Sequence, residues 1–208
     1  SLELHEGDVV LVHPALVYEQ QPVSGAPVNV LYEDDFVLAV EKPQGLLVHG
    51  DGTGAETLTD RGQGELARRA RETAWTAPTD VPAVQALQRL DVETSGIVLF
   101  SKVAEFQALF DALVASGAMR KEYLAVVDGA FERSSCVVRE PIGRDRHDAR
   151  RMRVSPTGQG ATSFVRRLSD TSEDPHHTLL AVTLGTGRRH QIRVHLSHLG
   201  YPIMNDEL

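Results

Sequence analysis

The clearest pattern along the chain is a series of short apolar runs, separated by polar turns, that predict β-strands. Residues 28–40 contain two such runs around an acidic turn at Glu33, Asp34 and Asp35. Residues 97–100 are four apolar residues in a row, which is typical of a buried strand. Apolar runs predict further strands at residues 9–12, 123–127, 161–165 and 178–184, and extended structure at residues 46–48.

Apolar residues three and four positions apart predict helices. Leu58, Leu66 and Ala70 are the candidate core contacts of the first helix. In the second helix, the apolar residues at 106, 109, 110 and 113 share one face, and Gly117 follows as a typical C-terminal glycine. The third helix is expected to end at Gly200. The predicted helices are residues 58–73, a segment beginning at residue 106, and residues 189–198.

The order of these elements favours an α+β protein with a mostly antiparallel sheet. Strands outnumber helices, and the strict strand–helix alternation of a doubly wound fold is absent. No linker-like break divides the 208 residues, so one large domain is expected. Residues 139–160 are rich in arginine and poor in apolar residues, and we interpret them as a long functional loop or hairpin.

Composition limits the chain to an ordinary globular class, with 41% apolar and 24% charged residues. A single cysteine, Cys136, excludes an intramolecular disulfide framework and a cysteine-rich zinc ribbon. It also favours a reducing compartment, the cytoplasm. No apolar run approaches the roughly 20 residues that a membrane helix needs, so no membrane partner is expected. The start at Ser1 without methionine suggests a fragment or a processed chain.

The net charge of −8 argues against an acidic partner only until its distribution is considered. Residues 1–60 hold one basic and eleven acidic residues, whereas the rest of the chain carries a net +2. Six arginines against three acids lie in residues 139–153, and Arg188, Arg189 and Arg193 form a second basic cluster. Because local patches set the field at a binding cleft, RNA remains a suitable partner.

A polar loop at residues 88–96 directly precedes the predicted strand 97–100. Its carboxylate, Asp91, could act as a nucleophile or a general base, with Thr94 and Ser95 orienting it. One alternative is an Asx-turn with capping hydroxyls. Another is a glycosidase-like pair of Asp91 and Glu93, which needs carboxylates about 5 Å apart across a sugar bond. The single tryptophan of the chain gives little support for carbohydrate stacking.

The basic cluster near the C-terminus offers a second set of candidates. On a helix, His190 and Arg193 would share a face, while Arg189 and Arg193 would repel each other unless an anion lay between them. That anion is either a phosphate or a buried acid such as Asp91; a solvated basic helix is the alternative. Tyr123, which follows two cations into a strand, is either a core residue or a base-stacking residue. The histidine spacing here fits no familiar metal site, so no metal is expected.

Four ordered segments together form a far more specific pattern than any one of them. They read KPQGLLVH at 42–49, RLDVETSG at 89–96, KEYLAVV at 121–127 and GRRHQIRVH at 187–195. With these segments the sequence resembles the RluA/RluD-type family of RNA pseudouridine synthases over residues 30–203. The resemblance implies the pseudouridine synthase fold: a mixed, mostly antiparallel central sheet with flanking helices and a catalytic cleft.

The resemblance also implies roles for particular residues. Asp91 matches the catalytic aspartate, Tyr123 the active-site tyrosine and Arg193 its basic partner, which we expect to pair with Asp91. Arg89 matches the arginine that helps to hold the flipped base out of the helix, while Gln88 replaces a histidine common in the family. The expected RNA-binding residues are Arg89, Arg144, Arg150, Arg151, Arg188 and Arg189.

The implied activity is isomerisation of specific uridines to pseudouridine in rRNA or tRNA, without a metal or cofactor. Residues 28–208 would form the catalytic domain, shortened before the family's Gly-Asp-x-x-Tyr-Gly segment and a further strand. Residues 1–27 would be an N-terminal segment, in which residues 4–12 resemble the last strand of an S4-type RNA-binding domain. We expect a monomer. The alternative is a non-catalytic RNA-binding module, which would not need Asp91.

Overall fold

The computed structural model describes residues 27–73, 81–103, 105–148, 151–170 and 176–206. By its backbone contacts the chain divides into two compact units, residues 1–110 and 111–208. The strand expected at residues 9–12, the S4-like segment and Arg150 lie outside the described residues. The assignment of residues 28–208 to one catalytic domain stays a prediction.

The first unit is built on a four-stranded antiparallel sheet. Its elements are β1 (Asn29–Glu33), β2 (Val37–Lys42), α1 (Leu58–Thr73), β3 (Gln85–Ala86), β4 (Gly96–Ser101) and the start of α2 (Phe106–Ala115). The strand order is β1-β2-β4-β3. The core lies between this sheet and α1, where Leu38, Val40, Leu58, Val98 and Phe100 have no exposed surface.

The second unit holds another four-stranded antiparallel sheet and a separate hairpin. Its elements are β5 (Lys121–Asp128), β6 (Ser135–Val138), β7 (Ile142–Arg144), β8 (Met152–Val154), β9 (Ser163–Asp170), β10 (His177–Leu184) and α3 (Gln191–His198). The sheet order is β5-β10-β9-β6, and β7 pairs with β8. Because every strand pairing in the described part of the chain is antiparallel, the predicted α+β class is confirmed.

Local sequence signals explain why α1 begins and α2 ends where they do. Thr57 caps α1: its hydroxyl accepts from the Asp60 amide, and the Asp60 carboxylate accepts from the Thr57 amide and hydroxyl at 2.9 and 2.7 Å. This reciprocal capping box satisfies amide groups that the first turn leaves unpaired. At the end of α2, Gly117 takes the left-handed conformation with φ 74°. Both predicted ends are confirmed.

Several predicted details were wrong. The apolar run at residues 97–100 buries one face only, because Val98 and Phe100 point into the core while Ile97 is 58% exposed. On α2, Phe110 is buried but Leu109 is half exposed. The segment at 46–48, expected to be extended, pairs with none of the described strands, and two of its side chains are buried. The short strands β3 and β6 were missed: β3 has two residues and no apolar run, and the apolar run of β6 has only three residues.

In the second unit, α3 packs on one face of the sheet, and the arginine-rich hairpin packs on α3. Val127, Leu180, Val182 and Leu196 are fully buried in the main cluster. A smaller cluster joins the hairpin to α3 through Ile142, Ala161 and Val194. The prediction of a loop or hairpin at residues 139–160 is therefore confirmed as a hairpin. None of the helices in the described ranges has the length and apolar character needed to cross a bilayer.

Candidate active site

Asp91 lies in a tight turn between β3 and β4, and a buried lysine supports that turn. The Asp91 carbonyl accepts from the Thr94 amide at 3.0 Å, which closes the turn. The next carbonyl, that of Val92, accepts from the Lys42 ammonium at 2.9 Å and from the Gly45 amide at 2.8 Å. Two segments that are 50 residues apart in sequence are therefore joined at the residue that follows Asp91.

Lys42 is the largest fully buried side chain among the described residues. Its ammonium group also donates to the carbonyl of Pro43 at 2.9 Å, so it bridges two backbone segments. Burial lowers the pKa of Lys42, and the nearby carboxylates of Glu93 and Asp91 oppose that shift. A buried cation held by carbonyl groups and facing two carboxylates can order the loop and help to balance its negative charge.

A side-chain hydrogen bond and two glycines with positive φ angles also shape this loop. Gln44 donates to the Glu93 carboxylate at 2.9 Å, which gives the two segments a further link. Gly45 has φ 80°, a conformation that favours glycine, and its amide is the one that reaches Val92. Gly96 has φ 134° and lies opposite Lys42 in the β2–β4 ladder. The conformation of the Asp91 loop thus depends on both segments.

Arg89, the candidate base-flipping residue, is exposed on the same loop. His49 is close enough that Arg89, together with burial as the larger cause, lowers the pKa of its imidazole. The start of α1 holds the segment before His49 in place, because the amides of Leu58 and Thr59 donate to the carbonyls of Leu47 and Val48 at 2.8 and 3.2 Å. The first unit therefore presents Arg89, His49 and Asp91 on backbone that is fixed by hydrogen bonds.

In the second unit, Arg193 forms a bidentate ion pair that sequence reasoning missed. Its Nε and Nη2 groups donate to the two carboxylate oxygens of Asp206 at 2.7 and 2.6 Å. The Asp206 side chain is only 10% exposed. One sequence signal could have identified it, because Asp206 is the first acidic residue after Asp174 and follows a basic cluster. The expected pairing of Arg193 with Asp91 stays a prediction.

The helix that carries Arg193 begins two residues later than predicted. His190 adopts a left-handed conformation with φ 55°, which prevents the helix from starting at Arg189. The Gln191 side chain holds this turn: its Oε1 accepts from the Arg188 amide at 3.0 Å and the Thr186 hydroxyl at 2.8 Å. The inference that residues 189, 190 and 193 share a helix face was therefore wrong.

His195 anchors this helix to neighbouring segments through both of its ring nitrogens. Its two ring nitrogens lie 2.9 Å from the Ser163 hydroxyl and from the Glu140 carbonyl, and the residue has no exposed surface. Burial lowers the pKa of His195. Gln191 donates to the same Ser163 hydroxyl at 2.9 Å. Gln191 and His195 thus fix the backbone of α3 on both sides of Arg193.

Tyr123 lies on β5, opposite Val182 of β10, and its side chain is half buried. This placement fits either of the two roles considered from the sequence, a core residue or a stacking residue. Because β5 is an edge strand of its sheet, Tyr123 has a strand neighbour on one side from β10.

The arginines of the hairpin differ in how far their charge is balanced within the protein. Arg144 is exposed. Arg151 lies 3.9 Å from the Asp148 carboxylate, and Arg153 lies 3.5 Å from that of Asp145, so their charges are partly compensated. Beside the hairpin, Arg188 and Arg189 are exposed, and the Arg188 Nε donates to the Gly160 carbonyl at 3.0 Å. The second unit therefore presents Arg144, Arg188 and Arg189 to solvent.

Comparisons with known proteins show the family to which this chain belongs. The family model described as RNA pseudouridylate synthase matches residues 36–198. A relative from Xylella fastidiosa, named ribosomal large subunit pseudouridine synthase D, is 37% identical over 183 residues, which are 88% of this chain and 51% of that protein. An uncharacterized RNA pseudouridine synthase of Bacillus subtilis, YhcT, is 32% identical over 86% of this chain and 57% of its own length.

A solved structure, human RNA pseudouridylate synthase domain containing 4, superposes with a TM-score of 0.64. It is 27% identical in sequence and covers 86% of this chain and 67% of the human one. The chain spans about half the length of the curated relatives named above. The resemblance to RluA/RluD-type enzymes is confirmed, and the chain belongs to the RNA pseudouridylate synthase family.

Proposed function

We propose that this protein isomerises specific uridines to pseudouridine in structured RNA, with ribosomal RNA as the first candidate. The carrying observation is the ordered turn at Asp91, whose backbone is fixed by the Lys42 ammonium and the Gly45 amide. Membership of the family supports an enzyme rather than a non-catalytic RNA-binding module. The name of the Xylella relative supports the large ribosomal subunit as the source of the RNA.

The reaction rearranges one nucleotide without an external group donor. The N1–C1′ bond breaks, the uracil turns, and a C5–C1′ bond forms; a proton leaves C5 and N1 ends protonated. The target base must first leave the RNA stack, which costs a few kcal/mol. Arg89, which is exposed next to the Asp91 turn, is suited to occupy the vacated space.

Asp91 supplies the reactive carboxylate in this proposal. Its attack on C1′, its attack on C6 and its removal of the C2′ proton are three routes that all require the ionised form. Arg193, pairing with Asp91, would stabilise that form once both are enclosed by RNA. Tyr123 would stack on the uracil and assist the loss of the C5 proton through its hydroxyl.

The exposed arginines of the second unit provide phosphate contacts in this proposal. Arg144, Arg151, Arg188 and Arg189 would bind the RNA backbone without reading its sequence. Arg150 belongs to the same expected set. The protein would act as a monomer in the cytoplasm.

The direct test is to incubate the purified protein with total cellular RNA and to map pseudouridine at nucleotide resolution. New pseudouridines at a few discrete positions, absent with Asp91→Asn, are the expected result. Asp35→Asn, in the exposed β1–β2 turn, is the matched control for a carboxylate-to-amide change and should behave as the unmodified protein does. RNA binding without any new pseudouridine would instead support the binding module.

A further inference from the structure

The residues that follow α3 run back along the edge strand β5. The Met204 amide donates to the Val126 carbonyl at 2.9 Å, and the Asp128 amide donates to the Pro202 carbonyl at 2.9 Å. Ile203 forms an antiparallel bridge with Val127 between them. These contacts make the segment a short fifth partner of the sheet, attached three residues from Tyr123.

Side-chain packing strengthens this attachment at its first residue. The Tyr201 ring meets the Phe131 ring edge to face, with centroids 5.0 Å apart and an interplanar angle of 66°. Such aromatic pairs contribute about 0.5–1.5 kcal/mol beyond the area they bury. The segment 201–206 is therefore held to the sheet by both backbone and side chains.

The far end of the segment reaches Arg193. The Asp206 amide donates to the Ile203 carbonyl at 3.0 Å, and Asn205 adopts φ 60°, so the chain turns sharply and aims the Asp206 carboxylate back at α3. The carboxylate accepts hydrogen bonds from the Nε–H group and from one Nη2–H group of Arg193. A two-point contact between a planar guanidinium and a planar carboxylate fixes the orientation of both groups.

We propose that Asp206 is a positioning residue, which fixes the Arg193 guanidinium relative to β5 and so to Tyr123. This inference rests on the proposed function, because it gives Arg193 a task toward the RNA or toward Asp91. Gln191 and His195 fix the backbone of α3, and Asp206 fixes the side chain of Arg193. The pair with Asp206 engages the Nε–H group and one Nη2–H group of Arg193, and so orients the whole planar guanidinium.

The test compares Asp206→Asn, which keeps the shape, with Asp206→Glu, which keeps the carboxylate. Asp128→Asn is the matched control, since it removes a carboxylate from the same unit while its backbone amide can still bind Pro202. Single-turnover rates are measured on large-subunit rRNA transcribed with tritium at uridine C5, and RNA affinity is measured separately. Misplacement of a catalytic group by about 1 Å can cost on the order of a hundredfold in rate.

We therefore expect Asp206→Asn to lower the single-turnover rate by about a hundredfold, with RNA affinity unchanged within about twofold. Asp206→Glu should recover at least about tenfold of that loss, and Asp128→Asn should leave the rate unchanged. In the double variant with Arg193→Lys, the two losses should be far less than additive, because both remove the same contact. A full rate in Asp206→Asn, or additive losses in the double variant, would overturn the positioning role.

An NMR measurement keeps this inference separate from the activity itself. The Nε–H of Arg193 should exchange slowly with solvent in the unmodified protein and rapidly in Asp206→Asn, while the Met204 amide stays protected in both. Equal protection of the Arg193 Nε–H in both proteins would overturn the inference even if the enzyme is active. Absence of tritium release by the unmodified protein would overturn the proposed function, and the NMR result would then decide on Asp206 alone.

Discussion

The ammonium group of Lys42, which has no exposed surface, donates a hydrogen bond of 2.9 Å to the carbonyl of Val92, the residue after Asp91. This contact joins the segment at 42–45 to the segment at 89–96. The first segment contributes no reacting group in the proposed mechanism. It fixes the backbone of the turn that carries the Asp91 carboxylate. The Gly45 amide completes the arrangement at the same carbonyl.

Lys42→Met should impair catalysis through this support. The change removes the ammonium group and leaves the Pro43 carbonyl without its lysine donor, which should lower the free energy of unfolding by about 1–3 kcal/mol. The single-turnover rate should fall by at least about tenfold, because the Val92 carbonyl of the Asp91 turn loses one of the two donors described above. Chemical denaturation and single-turnover kinetics measure the two effects.

Lys102→Met is the matched control for that change. Lys102 is also largely buried in the first unit and pairs with Glu33 at 2.7 Å, but it belongs to no contact of the Asp91 loop. The Lys102→Met variant should have a lower free energy of unfolding, and its single-turnover rate, measured on folded protein, should stay within about twofold of the unmodified protein. Equal rate losses in the two variants would show that Lys42 acts only through general stability.

Gly158→Ala should disturb the arginine-rich hairpin. A Cβ at Gly158 would lie 2.4 Å from the backbone carbon of Ile142, so the base of the hairpin must move. We expect a loss of about 1–3 kcal/mol in the free energy of unfolding, together with weaker RNA binding. Gly160→Ala, where a Cβ meets nothing within 4 Å, is the control. Equal stability of the two alanine variants would contradict this account of the hairpin.

Arg144→Ala should weaken RNA binding through charge alone. Arg144 is exposed on β7, and loss of one phosphate contact should reduce the slope of log affinity against log salt by about 0.7–0.9. The rate at saturating RNA should change little, because no contact made only in the transition state is lost. Arg71→Ala, an exposed arginine of α1, is the control. A collapse of the rate with intact binding would place Arg144 in the active site.

Glu65→Gln tests the electrostatics of α1. Glu65 is buried and accepts from Arg68 at 2.6 and 3.0 Å, and from Arg69 at 2.8 Å, which together lower its pKa from 4.5 to about 2. A carboxyl group whose pKa is lower in the folded protein stabilises it above the unfolded pKa and loses that effect as the pH falls. We expect Glu65→Gln to cost roughly 2 kcal/mol at pH 7, allowing for the solvent around Arg68.

That difference between Glu65→Gln and the unmodified protein should shrink progressively from about pH 5 toward pH 2, as measured by urea denaturation. Glu72→Gln, an exposed partner of the same Arg68, is the control and should cost less than about 1 kcal/mol. A difference for Glu65→Gln that stays constant from pH 7 to pH 3 would contradict the assignment of its charge state.

The sequence predicts elements whose signals are local. The helix α1 has the predicted bounds because Thr57 and Asp60 form the capping box and its apolar positions follow one face. The start of α3 was misplaced, because the left-handed turn at His190 depends on the side chain of Gln191, which contacts residues on other elements. Periodicity carries no information about such contacts.

In the candidate site, too, local sequence signals were informative and contacts between distant residues were not predicted. Asp91, Tyr123 and Arg193 could be proposed as site residues from the sequence, because each lies in a recognisable segment. The supporting residues were missed, because the folded backbone is what brings Lys42 to the Asp91 turn and Asp206 to Arg193, 13 residues away in sequence. From the sequence, Lys42 is only the first residue of the segment at 42–49, and Asp206 lies in no predicted element.

The measurement that tests the central claim most directly is tritium release from uridine C5 by the unmodified protein and by Asp91→Asn, on the same labelled large-subunit rRNA. Release requires loss of the C5 proton, which RNA binding alone cannot produce. The account predicts release at discrete uridines by the unmodified protein and by Asp35→Asn, and none above background by folded Asp91→Asn. Release by Asp91→Asn at the unmodified rate would contradict the assignment of Asp91 as the reactive carboxylate.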